Sequence, residues 1–154
     1  YEDGEVDFVY CRHTLEDMTN PEFLLREIKR VARAGWLEIP SPCAELTRGV
    51  DAWGDHLGYC HHRWVGVGVG SHLRLCAKYP VIERVTLRDY WRLLSHGPRY
   101  WNTYALFDGA NPLVLDVLQN DRGFQLGKID RRGEPVEYRE VLVRMADAFL
   151  RTKE

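Results

Sequence analysis

Val6 to Cys11 is a compact run of apolar and aromatic residues broken only by Asp7. The turn pair Asp3-Gly4 precedes it, so the pattern predicts a buried strand. Thr19-Asn20-Pro21 then marks a helix start: Asn20 can accept from the free amides of the first turn, and Pro21 suits the first helical position. Leu24, Leu25, Ile28, Val31 and Ala32 follow at helical spacing, while Glu22, Arg26, Glu27, Lys29, Arg30 and Arg33 fill the other face. The last turn is basic and Gly35 stands just past it, as a left-handed cap requires. Trp36 to Ile39 returns as a strand and stops at Pro40-Ser41-Pro42. Two short apolar strands joined through one helix call for a parallel crossover, and hence an α/β sheet.

Beyond Pro42 the pattern is less regular. Cys43 to Val50 has room for one or two helical turns, and Asp51 to His62 is polar and aromatic, a loop. Arg63 to Tyr79 alternates valine with glycine, turns at Gly70-Ser71, and resumes with Leu73, Leu75 and Ala77 between polar residues, which predicts a β-hairpin. Leu87 to Leu94 reads as a helix, Tyr100 to Phe107 as an aromatic strand and Leu113 to Leu118 as a further apolar run. From Pro135 to Thr152, Tyr138, Val141, Leu142, Met145, Phe149 and Leu150 share one helical face. The expected organisation is a single domain over residues 1–154. Residues 1–42 form the strand-helix-strand of its core sheet and 43–154 a variable C-terminal region.

Composition narrows the functional classes. The chain has 154 residues, 45% of them hydrophobic, enough to bury one sizeable core. Its 21 basic residues are scattered and the formal net charge is -2, so neither a nucleic acid nor an anionic membrane surface is an expected partner. No run is long enough to span a bilayer, and the acidic start is no signal peptide. The four cysteines, Cys11, Cys43, Cys60 and Cys76, lack short-spaced pairing and suit reduced thiols in the cytoplasm.

Three motifs invite chemistry. Gly66 to Ser71, "GVGVGS", is glycine-rich like a nucleotide loop, and Asp89 lies where a ribose-binding acid would stand. Such a loop needs a helix directly after it, whereas a strand pattern follows, so the hairpin is the preferred reading. His56, Cys60, His61, His62, His72 and Cys76 offer ligands that zinc accepts, without a Cys-x-x-Cys pair. Cys11 near His13 suggests a thiol nucleophile, against which stands simple packing of Cys11 at a strand end.

The stretch Asp7 to Pro40 resembles the segment from the fourth to the fifth strand of class I S-adenosylmethionine-dependent methyltransferases of the broad type-11 group. Asp7-Phe8-Val9, Leu15-Glu16, Pro21, Glu27, Arg30-Val31, Gly35 and Glu38-Ile39-Pro40 carry the likeness. Asp17 departs from it, standing where that family has histidine. The resemblance implies a partial Rossmann-like sheet with a C-terminal hairpin and helices, and S-adenosylmethionine as cofactor. Ligands of open α/β sheets bind beyond the carboxyl ends of the strands. By this analogy Tyr10, Cys11 and Arg12 belong to the cofactor wall, and His13 is the candidate proton acceptor facing a small-molecule or still undefined methyl acceptor. The family's glycine-rich cofactor loop would precede Tyr1, so the expectation is a C-terminal portion, inactive alone: a fragment of a longer protein, a split enzyme completed by an N-terminal half, or a degenerate module kept for interaction. Two further classes stay open: a non-catalytic interaction module using the aromatic segment Tyr90 to Phe107, and a small zinc-binding domain.

Overall fold

The computed structural model describes residues 1–51, 54–119 and 130–154. Positions 52 and 53 of the expected loop therefore lie outside the described residues. Strand β1 (Val6–Arg12) is followed by helix α1 (Pro21–Val31) and strand β2 (Ala32–Pro40), and β1 pairs parallel with β2 from Val6↔Ala32 to Arg12↔Glu38. Asn20 caps α1 by accepting from the Phe23 amide at 3.1 Å, and Pro21 takes the first helical position. Leu25 and Ile28 form the helix's buried face.

The end of α1 differs from the expectation. The helix stops at Val31 and β2 begins at once at Ala32, so Arg33 and Gly35 are strand residues and Gly35 caps nothing. Gly35 is needed for space instead, since a Cβ there would meet the Phe107 ring at 2.5 Å and the Val9 carbonyl at 2.9 Å. Phe107 belongs to β5 (Asn102–Phe107), which runs antiparallel along the other side of β2 from Gly35↔Phe107 to Pro40↔Asn102.

A second three-stranded sheet lies beneath the first. The predicted hairpin forms as β3 (Trp64–Val69) and β4 (His72–Ala77), turning at Gly70, and β6 (Val114–Leu118) pairs parallel with β4. The alternation in "WVGVGV" separates two environments. Val65 and Val67 pack into a core with Tyr138, Leu142, Met145 and Phe149 of helix α4 (Val136–Arg151), while Gly66 and Gly68 face the first sheet. A Cβ on Gly68 would run into the Tyr104 carbonyl of β5, and one on Gly66 into Ile39 of β2. The close approach is fixed by Gly68 N–H donating to Thr103 Oγ1 at 2.9 Å and by Thr103 Oγ1 donating back to the Gly68 carbonyl at 3.1 Å. Both glycines therefore serve sheet packing, and the nucleotide-loop possibility is set aside.

Two short helices complete the α4 side, α2 (Pro42–Glu45) and α3 (Trp91–Ser95). The latter is shorter than predicted; Asp89 Oδ1 accepts from the Trp91 amide at 2.8 Å just before it, which gives Asp89 a structural role. A second buried cluster joins Leu25 and Ile28 of α1, Leu37 and Ile39 of β2, and Leu73 and Leu75 of β4. The architecture is mixed α/β, with two three-stranded sheets and helices. Among the described residues no helix is long and apolar enough to cross a membrane.

Candidate functional site

The carboxyl end of β1 leads into the segment 13–20, which folds back on the molecule. His13 adopts left-handed backbone angles (φ 48°), a region histidine visits more readily than most residues, and its amide donates to the Glu38 carbonyl at 3.0 Å. Leu15 is fully buried beneath this turn, and Trp64 Nε1 donates to the Met18 carbonyl at 2.7 Å. The Arg63 amide donates to the Glu16 carbonyl at 2.6 Å. These bonds place the segment after β1 against residues 59–64, which lead into β3.

Two clusters result. In the first, Glu38 of β2 gathers Tyr10 Oη (3.1 Å), Arg12 Nε (3.1 Å), Trp36 Nε1 (3.3 Å) and Asn102 Nδ2 (2.6 Å) around its carboxylate. Partial burial opposes its ionisation, but the bonds from Tyr10, Arg12, Trp36 and Asn102 prevail and hold it below the ordinary glutamate value. Trp36 stacks on Tyr104 with ring centroids 4.3 Å apart. Tyr10, Arg12, Trp36, Glu38 and Tyr104 thus share the outer face of the first sheet, which Phe8 and Leu106 extend and no described element covers. The strand alternation turns Cys11 to the opposite, inner side, so the three residues expected to form a cofactor wall do not lie on one face. Burial pushes the Cys11 thiol up, which works against a thiolate nucleophile beside His13.

The second cluster lies around Glu16, 1% exposed. His13 Nδ1 stands 3.3 Å from Glu16 Oε1, within ion-pair range, yet neither Glu16 oxygen has a hydrogen-bond partner among the described residues. Burial drives its carboxyl up to about 7. Burial, followed by the neighbouring Arg12 charge, lowers His13 from its ordinary value. Burial thus favours the uncharged form of both groups. In the sequence Glu16 stood out only as part of the family likeness, because burial of a glutamate behind a loop histidine has no local signature.

Close by, His62 Nδ1 meets Glu45 Oε1 at 2.5 Å, and Glu45 Oε2 accepts from Lys78 Nζ at 2.9 Å. Lys78 also donates to the Tyr59 carbonyl at 2.7 Å. Of the six residues that offer zinc-type ligands, Cys60, His61 and His62 fall in candidate clusters, His61 shared between one with Cys60 and one with His62. Cys76 is buried in β4 with its thiol pushed up to about 12, His72 opens β4 on the surface, and His56 is drawn to Glu83. Asp17, which sequence reading did not weigh as a ligand, joins His61 and His62, and Asp51 joins Cys60 and His61.

Residues 1–37 match the family model described as a methyltransferase domain. The match covers β1, α1 and most of β2, and with them Tyr10 to His13 and Glu16. The first part of the chain is therefore similar to a methyltransferase domain, which points to methyl transfer in general. No curated protein and no solved structure matches the chain.

Proposed function

We propose that this chain is the C-terminal part of a class I S-adenosylmethionine-dependent methyltransferase. The observation that carries the reading is the parallel β1-α1-β2 unit within the methyltransferase-domain match, with His13 paired to a buried Glu16 just beyond the carboxyl end of β1. Open α/β sheets bind ligands at that end of their strands.

The residues present suit one wall of such a site. S-adenosylmethionine carries a sulfonium cation, and Glu38, held ionised and flanked by Tyr10, Trp36 and Tyr104, offers both a negative charge and aromatic faces to a cation. Tyr10 and Arg12 remain the proposed cofactor-side residues; Cys11 supports them from the inner side. When bound, the cofactor supplies an electrophilic methyl group. His13, with Nδ1 turned to Glu16, would take the acceptor's proton at Nε2. Glu16 orients the ring and steadies the charge that develops on it.

The remaining walls come from a complementing N-terminal half seated against the exposed edge of β1 and the open face of the first sheet. Support for this lies in that face itself: Phe8, Tyr10, Tyr104 and Leu106 are all roughly half exposed, an apolar and aromatic surface that isolated sheets rarely leave in water. The acceptor is a small molecule or another still undefined nucleophile.

Isothermal titration with S-adenosylmethionine, on the chain together with its complementing half, tests the reading. Binding of one cofactor, weakened by Arg12→Ala, is expected; no binding by the completed protein removes the cofactor assignment. His13→Gln is expected to lower turnover by roughly 10²–10⁴-fold with cofactor affinity unchanged. Its loss should be accompanied by loss of an acidic limb in the pH profile lying below histidine's ordinary value of 6.5. Unchanged turnover in that variant rules out His13 as the proton acceptor.

A further inference from the structure

We propose that Asp17, His61 and His62 form a binding site for a zinc-like divalent cation at the edge of the Glu16 cluster. The inference stands apart from the methyl-transfer reading, because it uses none of the residues assigned there.

Three ligand atoms converge. Asp17 Oδ1 lies 4.0 Å from His61 Nε2 and 3.9 Å from His62 Nε2, and the three atoms all fall within 4.8 Å of one another. These separations are too long for hydrogen bonds and so leave the facing lone pairs unused on one another. Two donors bound tetrahedrally at about 2.0–2.1 Å from zinc stand about 3.3–3.4 Å apart, so each Asp17–histidine separation closes by about half an ångström. Asp17 and His61, with side chains 47% and 59% exposed, are free to make it by rotation.

The orientation of the histidines is the second and independent observation. His62 Nδ1 is engaged by Glu45 at 2.5 Å, and Glu45 is fixed in turn by Lys78. On His61, Nδ1 faces Asp51 Oδ2 at 3.8 Å. His62 thus has a carboxylate bonded at Nδ1, His61 has the Asp51 carboxylate on that side beyond hydrogen-bond range, and both rings present Nε2 towards Asp17. Metal-bound histidines show this arrangement, in which an outer carboxylate fixes the tautomer and raises the basicity of the ligating nitrogen. His62 is almost entirely buried, and an ordinary surface histidine has no need of so costly a partner as the Glu45-Lys78 pair.

Two imidazoles and one carboxylate suit zinc and leave a coordination position open. His61 and His62 also line a cavity of about 600 Å³ with Thr19, Trp64, Lys78 and Tyr79. That open position is available to water or to an oxygen donor of a small ligand entering the cavity. A competing set, Asp51, Cys60 and His61, shares His61 but uses its Nδ1. There Asp51 Oδ2 already accepts from the Cys60 amide at 3.0 Å, so this carboxylate is better placed as an outer partner than as a ligand.

Titration calorimetry of the chelator-stripped protein with zinc chloride, paired with absorption spectra of its cobalt(II) form, decides the matter. One zinc per chain is expected, with visible cobalt bands and no near-ultraviolet thiolate-to-cobalt band. Asp17→Asn and His61→Gln, both on exposed side chains and checked for an unchanged circular dichroism spectrum, should each weaken zinc by more than the roughly 10–100-fold that loss of an outer partner costs. Cys60→Ser should leave the affinity within twofold. Absence of zinc binding overturns the proposal, as does binding that survives Asp17→Asn yet is lost with Cys60→Ser and shows the thiolate band.

Discussion

Glu16 stands in an environment at odds with its chemistry. A carboxyl that is fully buried, lacks hydrogen-bond partners among the described residues and is shifted from 4.5 up to about 7 holds its proton more tightly folded than unfolded. The sign follows directly. Below the unfolded value both states are protonated and nothing is lost; as pH rises through the folded value the unfolded chain releases the proton more readily, and stability falls. The shift corresponds to at most about 3 kcal/mol, drawn down between pH 4.5 and about 7. Urea unfolding across that range, with a chelator present so that no cation contributes, should show the decline. Glu16→Gln, which cannot ionise, should flatten it, and an identical slope in the variant would refute the buried-acid account. His13, by contrast, was legible as a candidate from its place after a strand. Its buried partner was not, because a glutamate's depth depends on Arg63 and Trp64, the latter bonding to a residue 46 positions earlier.

At the scale of elements, the strand-helix-strand opening was legible because every signal for it is local: a short apolar run, the Asn20-Pro21 start and the helical spacing of Leu25 and Ile28. The exit from α1 was misread, since Gly35 has the sequence position of a cap but is needed for the passage of Phe107, which no local pattern reveals. The same physics governs β3, where the valine-glycine alternation correctly predicted a strand while its cause lay in β2 and β5. Gly68→Ala would drive a methyl group into the Tyr104 carbonyl and lies 2.8 Å from the Ala105 nitrogen, backbone atoms that cannot rotate aside. The expected cost is about 1–3 kcal/mol, a fall in melting temperature of roughly 2–12 °C for a chain of this size. Gly109→Ala, with open space around its Cβ position, serves as control and should change stability by less than about 0.5 kcal/mol. Thermal unfolding of the two variants side by side distinguishes steric conflict from a general intolerance of alanine, which would move both.

At the scale of the whole molecule, the two faces of the first sheet are treated unequally. Its inner face packs Leu37, Ile39, Ala105 and Phe107 against the second sheet, whereas its outer face leaves Phe8, Tyr10, Tyr104 and Leu106 in contact with water. Sequence alone offered the aromatic segment Tyr90 to Phe107 as a contact surface. Tyr90 and Tyr100 are buried instead, whereas strand alternation sends Tyr104 outward, a consequence of the β2-β5 register. An apolar face that no described element covers, next to an edge of β1 that no described strand pairs with, favours association, by face stacking or by strand addition. The chain by itself should therefore elute larger than a monomer in size-exclusion chromatography with light scattering, and should enhance the fluorescence of a hydrophobic dye. Lysine at two outward positions, Phe8→Lys with Leu106→Lys, should restore a monomer and suppress the dye signal at little cost in stability, since neither side chain contributes to a buried cluster. A monomeric, dye-silent unaltered chain at every concentration tested would mean that the face is stable in water. The argument that it awaits a complementing half would then lose its physical basis.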